Sequence, residues 1–295
     1  MFNRLPVTLL FAAAGLAGCK SDRPAAEAQP ASAPPAAPAA SEGAPAAPAQ
    51  VTITATDYKL ELPDSIPAGV VALHLVNHGK ELHQAQLVRL DAGKTVDDVM
   101  AAMKRQGPPP AWAKFVGGPN GVAPGQETTT TSSLEPGHYV AICLIPGPDE
   151  IPHVMKGMIQ PFEVTPSEGA QAQATPAGDT VTMADYSFKL SRPLAPGHHT
   201  ILVENAGTQP HELVLLRLAP GKTVKDFGTW ATTGKQKGPP PAMPLGGVAV
   251  LEKAGSGQFS VELTPGEYGL ICFVPDSKDG KPHLAHGMES QFKVD

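Results

Sequence analysis

The sequence predicts an all-β protein made of two tandem β-sandwiches, each with one short helical insertion, behind a leader and a tether. Three observations carry that expectation. Proline and glycine number 33 and 30 in 295 residues, a usage that breaks long helices and suits turn-rich strand architecture. Short β-branched runs alternate in polarity between Pro-Gly and Asn-Gly-type turns, the pattern of a sandwich. One long module is also written twice, at an offset of 128 to 131 residues, far beyond the period of a solenoid repeat.

Taken in order, residues 1–19 form a leader. Arg4 is followed by an apolar run too short to span a bilayer as a mature helix, and the run ends in Leu16-Ala17-Gly18-Cys19. This box resembles the bacterial lipoprotein signal, and that resemblance implies cleavage before Cys19 and lipid on its thiol. The mature chain would then be anchored to a membrane, facing the periplasm or the cell surface. Residues 20–50 are almost entirely Ala and Pro, a composition that cannot bury a core and predicts a disordered tether.

The repeats follow as domains 51–164 and 181–295, with linker composition at 165–180. ATDYKLEL (55–62) returns as MADYSFKL (183–190), GPPPA (107–111) returns at 238–242, LEPGHYVAIC (134–143) as LTPGEYGLIC (263–272), and PHVMKGM (152–158) as PHLAHGM (282–288). Strands are expected at Val51–Thr56, Val70–Val76 and Leu213–Leu218, and into each late cysteine. Thr95 with Asp98, and Thr223 with Asp226, have the spacing of capping pairs that open a helix.

The formal net charge of −6 argues against a nucleic-acid partner, because duplex binding uses a basic patch. Three cysteines do not build a disulfide scaffold. Cys143 and Cys272 hold matching places in the two copies, so a bond between them is not expected. Burial as a small hydrophobe would account for either one alone. Their neighbours suggest more. His153 and Met158 follow Cys143, and His283 and Met288 follow Cys272 at nearly the same spacing. His83 and His211 each lie six residues after an asparagine, Asn77 and Asn205. Each copy thus offers one thiolate, two imidazoles and one thioether, the soft donor set of a blue-copper electron-transfer site. The six other histidines, His74, His78, His138, His198, His199 and His286, do not recur between copies and are expected at the surface.

With these residues each copy resembles a cupredoxin. Asn77-x5-His83 is similar to the plastocyanin pattern, and PHVMKGM is similar to the His-x4-Met segment of the type 1 site in copper nitrite reductases. The resemblance implies a Greek-key β-sandwich holding one copper per domain. Its ligands would be His83, Cys143, His153 and Met158 in the first copy, and His211, Cys272, His283 and Met288 in the second, with each Met axial. It implies one-electron transfer outside the cytoplasmic membrane with a transient redox or copper-handling protein partner. Copper storage or delivery, and a metal-free partner-binding module, are the competing readings. The chain departs from the pattern in its long Cys-to-His loops. It also carries Gln84 and Glu212 after the first histidines, where plastocyanins have Asn, so an inward Glu212 would make the second site differ from the first. Ile151, Pro152, Val154, Pro282 and Leu284 form a candidate docking patch. Ile142 and Ile271 precede the cysteines where nitrite reductases place a relay histidine. No phosphate loop, GxSxG or HExxH occurs, so the expectation is a protein that is not an enzyme.

Overall fold

A computed structural model describes residues 47–105, 107–167, 172–233 and 238–295. The expected lipidation at Cys19, the leader and most of the tether lie outside them.

In the N-terminal half the strands are β1 (Ala49–Thr56), β2 (Lys59–Glu61), β3 (Ser65–Pro67), β4 (Gly69–Asn77) and β5 (Gln86–Leu90). Helix α1 (Val96–Lys104) follows, then β6 (Ala113–Phe115), β7 (Glu127–Leu134), β8 (Gly137–Ile142) and β9 (Ile159–Thr165). The C-terminal half has β10 (Asp179–Ala184), β11 (Ser187–Leu190), β12 (Gly197–Asn205) and β13 (His211–Leu218), then α2 (Val224–Thr232). It closes with β14 (Ala242–Leu251), β15 (Ser256–Leu263), β16 (Gly266–Ile271) and β17 (Glu289–Val294). The protein is all-β, and the two helices are the expected insertions.

Period-two burial explains the strands. In β4 Val71, Leu73 and Leu75 point into the core, while His74 faces outward, 3.4 Å from Glu127. Strand β13 is apolar along nearly its whole length because both its faces are covered. Leu213 and Leu215 enter the core between the sheets, while Val214 and Leu216 pack beneath α2. Strand β5 does the same in the first half, with Leu87 inside and Val88 and Leu90 against α1. Both helices open with a complete capping box, Thr95–Asp98 and Thr223–Asp226.

Each half is a two-layer sandwich with a helix on its outer face. β2-β1-β4-β7 faces β3-β9-β8-β5-β6, and β11-β10-β12-β15 faces β14-β13-β16-β17. The halves are joined through their sheets. β15 pairs antiparallel with β7, with Gln258 opposite Thr131, Phe259 opposite Thr130 and Ser260 opposite Thr129, so one eight-stranded sheet runs through both.

A second seam pairs Val116 with Leu251, Pro119 with Val248 and Val122 with Leu245. With the repeats aligned on Leu134 and Leu263, Thr130 corresponds to Phe259 itself, and Pro119 to Val248. The seams therefore cross at equivalent residues, as in a two-fold interface. Gln86 fills the seam with its amide: Nε2 donates to the carbonyls of Gly117 and Val250, and Oε1 accepts from Val250 N–H at 2.7 Å. Close approach here requires glycine. A Cβ on Gly118 or Gly247 would overlap the carbonyl oxygen of Ala85 or Leu213, and both glycines have φ above +110°.

Candidate metal centre

The first histidine of each half stands at a strand entrance, His83 in an isolated bridge to Val122 just ahead of β5 and His211 as the first residue of β13, and is steered by the asparagine before it. Asn77 Oδ1 accepts from Gly79 N–H, and its Nδ2 donates to the carbonyls of Glu81 and Val122, each at 2.8 Å. Asn205 repeats this with Gly207, Gln209 and Leu251. This is the physical content of the Asn-x5-His spacing: the amide closes a turn and ties it to the neighbouring strand. The second histidine begins a short 3-10 helix, His153–Lys156 or His283–His286, that ends in a left-handed glycine. The methionine backbone is held between the other two donors. Met158 N–H donates to the His153 carbonyl, and Cys143 N–H donates to the Met158 carbonyl, with Met288 equivalent.

The fold brings the predicted donors together. His83, Cys143 and His153 form one buried group, and His211, Cys272 and His283 another, each with ligand atoms within 4.8 Å of one another. His83 Nδ1 lies 3.1 Å from His153 Nδ1, and Cys143 Sγ lies 3.4 Å from the latter. The matching distances in the C-terminal half are 2.9 and 3.5 Å. Met158 and Met288 are fully buried in the same core clusters as their cysteines.

In the first group the outer nitrogens call for a positive charge between the two rings. His83 Nε2 is 2.9 Å from Asp57 Oδ1, and His153 Nε2 is 2.8 Å from Glu81 Oε2. Carboxylates only accept, so each ring keeps its proton on Nε2 and turns a bare Nδ1 lone pair inward. Two such lone pairs face each other at 3.1 Å, which is repulsive without a positive charge between them. Protonation does not supply it readily, since burial pushes the His153 and His211 imidazoles below their ordinary value. His283 is pushed down to about 4, by burial and then by the neighbouring His211.

Burial raises the Cys143 thiol to about 12, against the backbone N–H groups of Gln84 and Ile145 that point at its sulfur. Cys272 is raised in the same way, opposed by the N–H groups of Glu212 and Val274. These N–H groups are ready donors to a thiolate once a metal displaces the proton. Two imidazoles, one buried thiol and a thioether in a dry pocket fit copper.

Sequence reasoning missed the residues behind the ligands. The Asp-Tyr pair repeated in the β1–β2 and β10–β11 turns supplies both. Asp185 holds His211 Nε2 at 2.5 Å as Asp57 holds His83. Burial alone would raise Asp185, but hydrogen bonds from Thr208 and His211 outweigh it and bring it down to about 2. Tyr58 packs against the His153 ring and Tyr186 against His283, with centroids 5.2 Å apart in both cases. The signal available was the retention of Asp-Tyr in both copies.

The halves differ in their outer contacts. Tyr58 donates to Glu81, the carboxylate that caps His153. At the place of Glu81 the second half has Gln209, which donates to Asp276, and among the described residues His283 Nε2 has no hydrogen-bond partner, the nearest carboxylate oxygen, Asp276 Oδ2, being 4.0 Å away. Glu212 does point inward and is buried, which raises its carboxyl; Phe273 N–H and Asn120 partly oppose this. A third grouping, Asp276, Asp279 and His286, is not built for a metal, because both Asp276 oxygens are already taken by Tyr186, Gln209 and loop N–H groups. The docking patch needs one correction: Val154 is buried under α1, and Ile151 is the exposed member.

No family model and no curated protein matches the chain. Among solved structures it is similar to the dithionite-reduced auracyanin of the photosynthetic bacterium Roseiflexus castenholzii, at 22% identity over 41% of this chain and all of that one, with a TM-score of 0.27. It is similar to the Cu-containing nitrite reductase of Thermus scotoductus at 13% identity, covering 83% of this chain and 61% of that one, with a TM-score of 0.23. The blue copper oxidase of Nitrosomonas europaea matches at 13% identity over 83% of this chain and 85% of that one, again with a TM-score of 0.23. The fold assignment rests on the strand topology described above. The expectation that this chain is not an enzyme is corrected: two of these three structures are of enzymes by name, and the missing relay histidine bears on one catalytic arrangement only. Catalysis is therefore not excluded.

Proposed function

We propose that the chain is a copper-binding electron-transfer protein with one type 1-like site in each half, anchored outside the cytoplasmic membrane by lipid on Cys19. The observation that carries the reading is the buried His-Cys-His grouping that occurs in both halves with a buried methionine in the same core, and in the first half the two Nδ1 lone pairs turned toward each other beside the thiol. Copper, when bound, supplies a one-electron couple. The chain's own residues then have separable tasks. Asp57 and Asp185 fix the tautomer of His83 and His211 and hold each ring against rotation. Gln84, Ile145, Glu212 and Val274 aim N–H groups at the sulfurs. Tyr58 and Tyr186 cover the second histidines, leaving His153 and His283 without exposed surface, which keeps water from the donors. Strands on both sides of each site resist movement of the ligands between oxidation states. Among the described residues no helix is long and apolar enough to cross a membrane, and a lipid on Cys19 would supply attachment instead. The partner fitting this reading is a protein that docks transiently near Ile151.

Titration with Cu(II) tests the sites. A strong blue thiolate-to-copper band, reduced by about half in Cys143→Ala and again in Cys272→Ala, is expected; a chain that binds no copper refutes the reading. Reversible redox cycling without metal loss supports electron transfer, whereas ready release of Cu(I) to a chelator supports delivery. Radiolabelled palmitate incorporated by the wild type but not by Cys19→Ala tests the anchor.

A further inference from the structure

The C-terminal site is tied to the other half of the molecule through a buried asparagine. Asn120 lies in the N-terminal half, on the segment that forms the second seam, and is 1% exposed. Its Nδ2 donates to Glu212 Oε2 at 3.1 Å and to the carbonyls of Leu213 and Val248, while its Oδ1 accepts from Gly121 N–H. Glu212 follows His211 directly. Its other oxygen, Oε1, accepts from Phe273 N–H at 3.0 Å, next to Cys272. One carboxylate thus braces the residues beside two donors of the site, and its free oxygen is held from across the seam. The arrangement has no mirror image. Gln84 stands at the place of Glu212 in the first half, and Ala249, which has no side-chain donor, stands at the place of Asn120.

We infer that Asn120 is a positioning residue of the C-terminal copper site, acting through Glu212, so that this site is complete only when the N-terminal half is docked. The inference rests on the reading of His211, Cys272 and His283 as ligands. Outer contacts of this kind change metal affinity by about 10- to 100-fold when removed, because a ligand freed of its brace samples unproductive orientations.

The test uses the full chain and Cu(I) in competition with a colorimetric chelator. In a Cys143→Ala background, where only the C-terminal site reports, Asn120→Ala weakens Cu(I) binding by about tenfold or more and shifts the Cu(II) thiolate band. In a Cys272→Ala background it changes binding less than about twofold. The near-isosteric Asn120→Asp keeps the acceptor for Gly121 N–H but presents an oxygen to Glu212, and it gives the same selective loss. Once Glu212→Gln is present, adding Asn120→Ala costs less than about twofold more, the non-additivity expected of residues acting in series. Equal loss at both sites, equal loss with and without Glu212→Gln, or no loss overturns the inference. If the Cys143→Ala parent itself binds no Cu(I), the ligand reading falls and takes the inference with it; indifferent Asn120 variants in a copper-binding parent overturn the inference alone.

Discussion

Gly79→Ala adds one methyl group at the tightest point of the N-terminal site. A Cβ on Gly79 would stand 2.5 Å from both Asp57 Oδ1 and His83 Nε2, the two atoms of the hydrogen bond that orients the ring. Relief requires a shift of roughly 0.8 Å, and the two neighbours differ in their freedom to give. The His83 side chain is fully enclosed, whereas that of Asp57 is 27% exposed and can swing toward water. The carboxylate therefore leaves, abandoning His83 and the N–H groups of Lys80 and Glu81, and the backbone at Gly79 must also shift away from the His83 ring, which stands as close to the added methyl. A hydrogen bond to a charged group contributes about 1.5–3 kcal/mol. Losing the buried one sets the expected destabilisation of the metal-free chain at about 2 kcal/mol, with the two exposed bonds adding little. Copper binding at this site should fall about 10- to 100-fold.

The assay is Cu(I) competition in a Cys272→Ala background, paired with denaturant unfolding of the metal-free chain. Asp57→Ala is the control: it removes the same carboxylate without adding bulk and should reproduce the affinity loss. A Gly79→Ala chain with unchanged copper affinity and an unchanged unfolding midpoint would refute the argument, since the carboxylate could then not be what fixes the ring.

Other expectations follow from the same geometry. His283 is pushed down to about 4 in the folded chain, below its unfolded value, so the unfolded state takes up the proton first as pH falls. Stability of the metal-free protein should therefore be full above about pH 6.5 and decline toward pH 4, by on the order of 3 kcal/mol from this group; a flat pH profile of unfolding over that window contradicts it. Gly247→Ala would force a Cβ into the Leu213 carbonyl at a left-handed φ, and the oxygen it meets at 2.1 Å is backbone that cannot swing aside. Loss of several kcal/mol is expected, read by thermal melting, and a near-normal melt would show that the seam can open. Thr223→Ala removes the cap of α2 and should cost about 1 kcal/mol while leaving copper affinity at either site unchanged.

The gathering of two histidines and a cysteine in each half was legible because these residue types kept their order through two copies while their neighbours diverged. The helices were legible because a capping box is local, three residues from end to end. The residues behind the ligands were harder to find. Asp57 meets His83 from 26 positions away, and Glu81 meets His153 across 72, so neither contact has a local spacing to recognise. The joining of the two sandwiches was invisible for a different reason. The stretch Glu127–Leu134 is mostly threonine and serine, which suggests a solvent-facing edge, yet Thr128, Thr130 and Ser132 are buried because β15 and β14 cover them. Side-chain polarity is a poor guide to exposure here, because what buries them is packing with the other repeat, and a single strand's pattern does not encode its partner. Glu212 was singled out in the sequence, but its consequence depends on Asn120, whose repeat counterpart is an alanine.

The seam that crosses at Thr130 and Phe259 has a consequence for how the protein works when it is scarce. Two separate modules meeting at such a surface would pair only above their dissociation constant, and each dilution would strip partners away. Here both faces belong to one chain, so docking is intramolecular, and the effective concentration of one face for the other is set by the short 165–180 connection rather than by the number of molecules present. The ratio of the two His-Cys-His groups is thus fixed at synthesis. A cell with a handful of copies has the same paired arrangement as one with thousands.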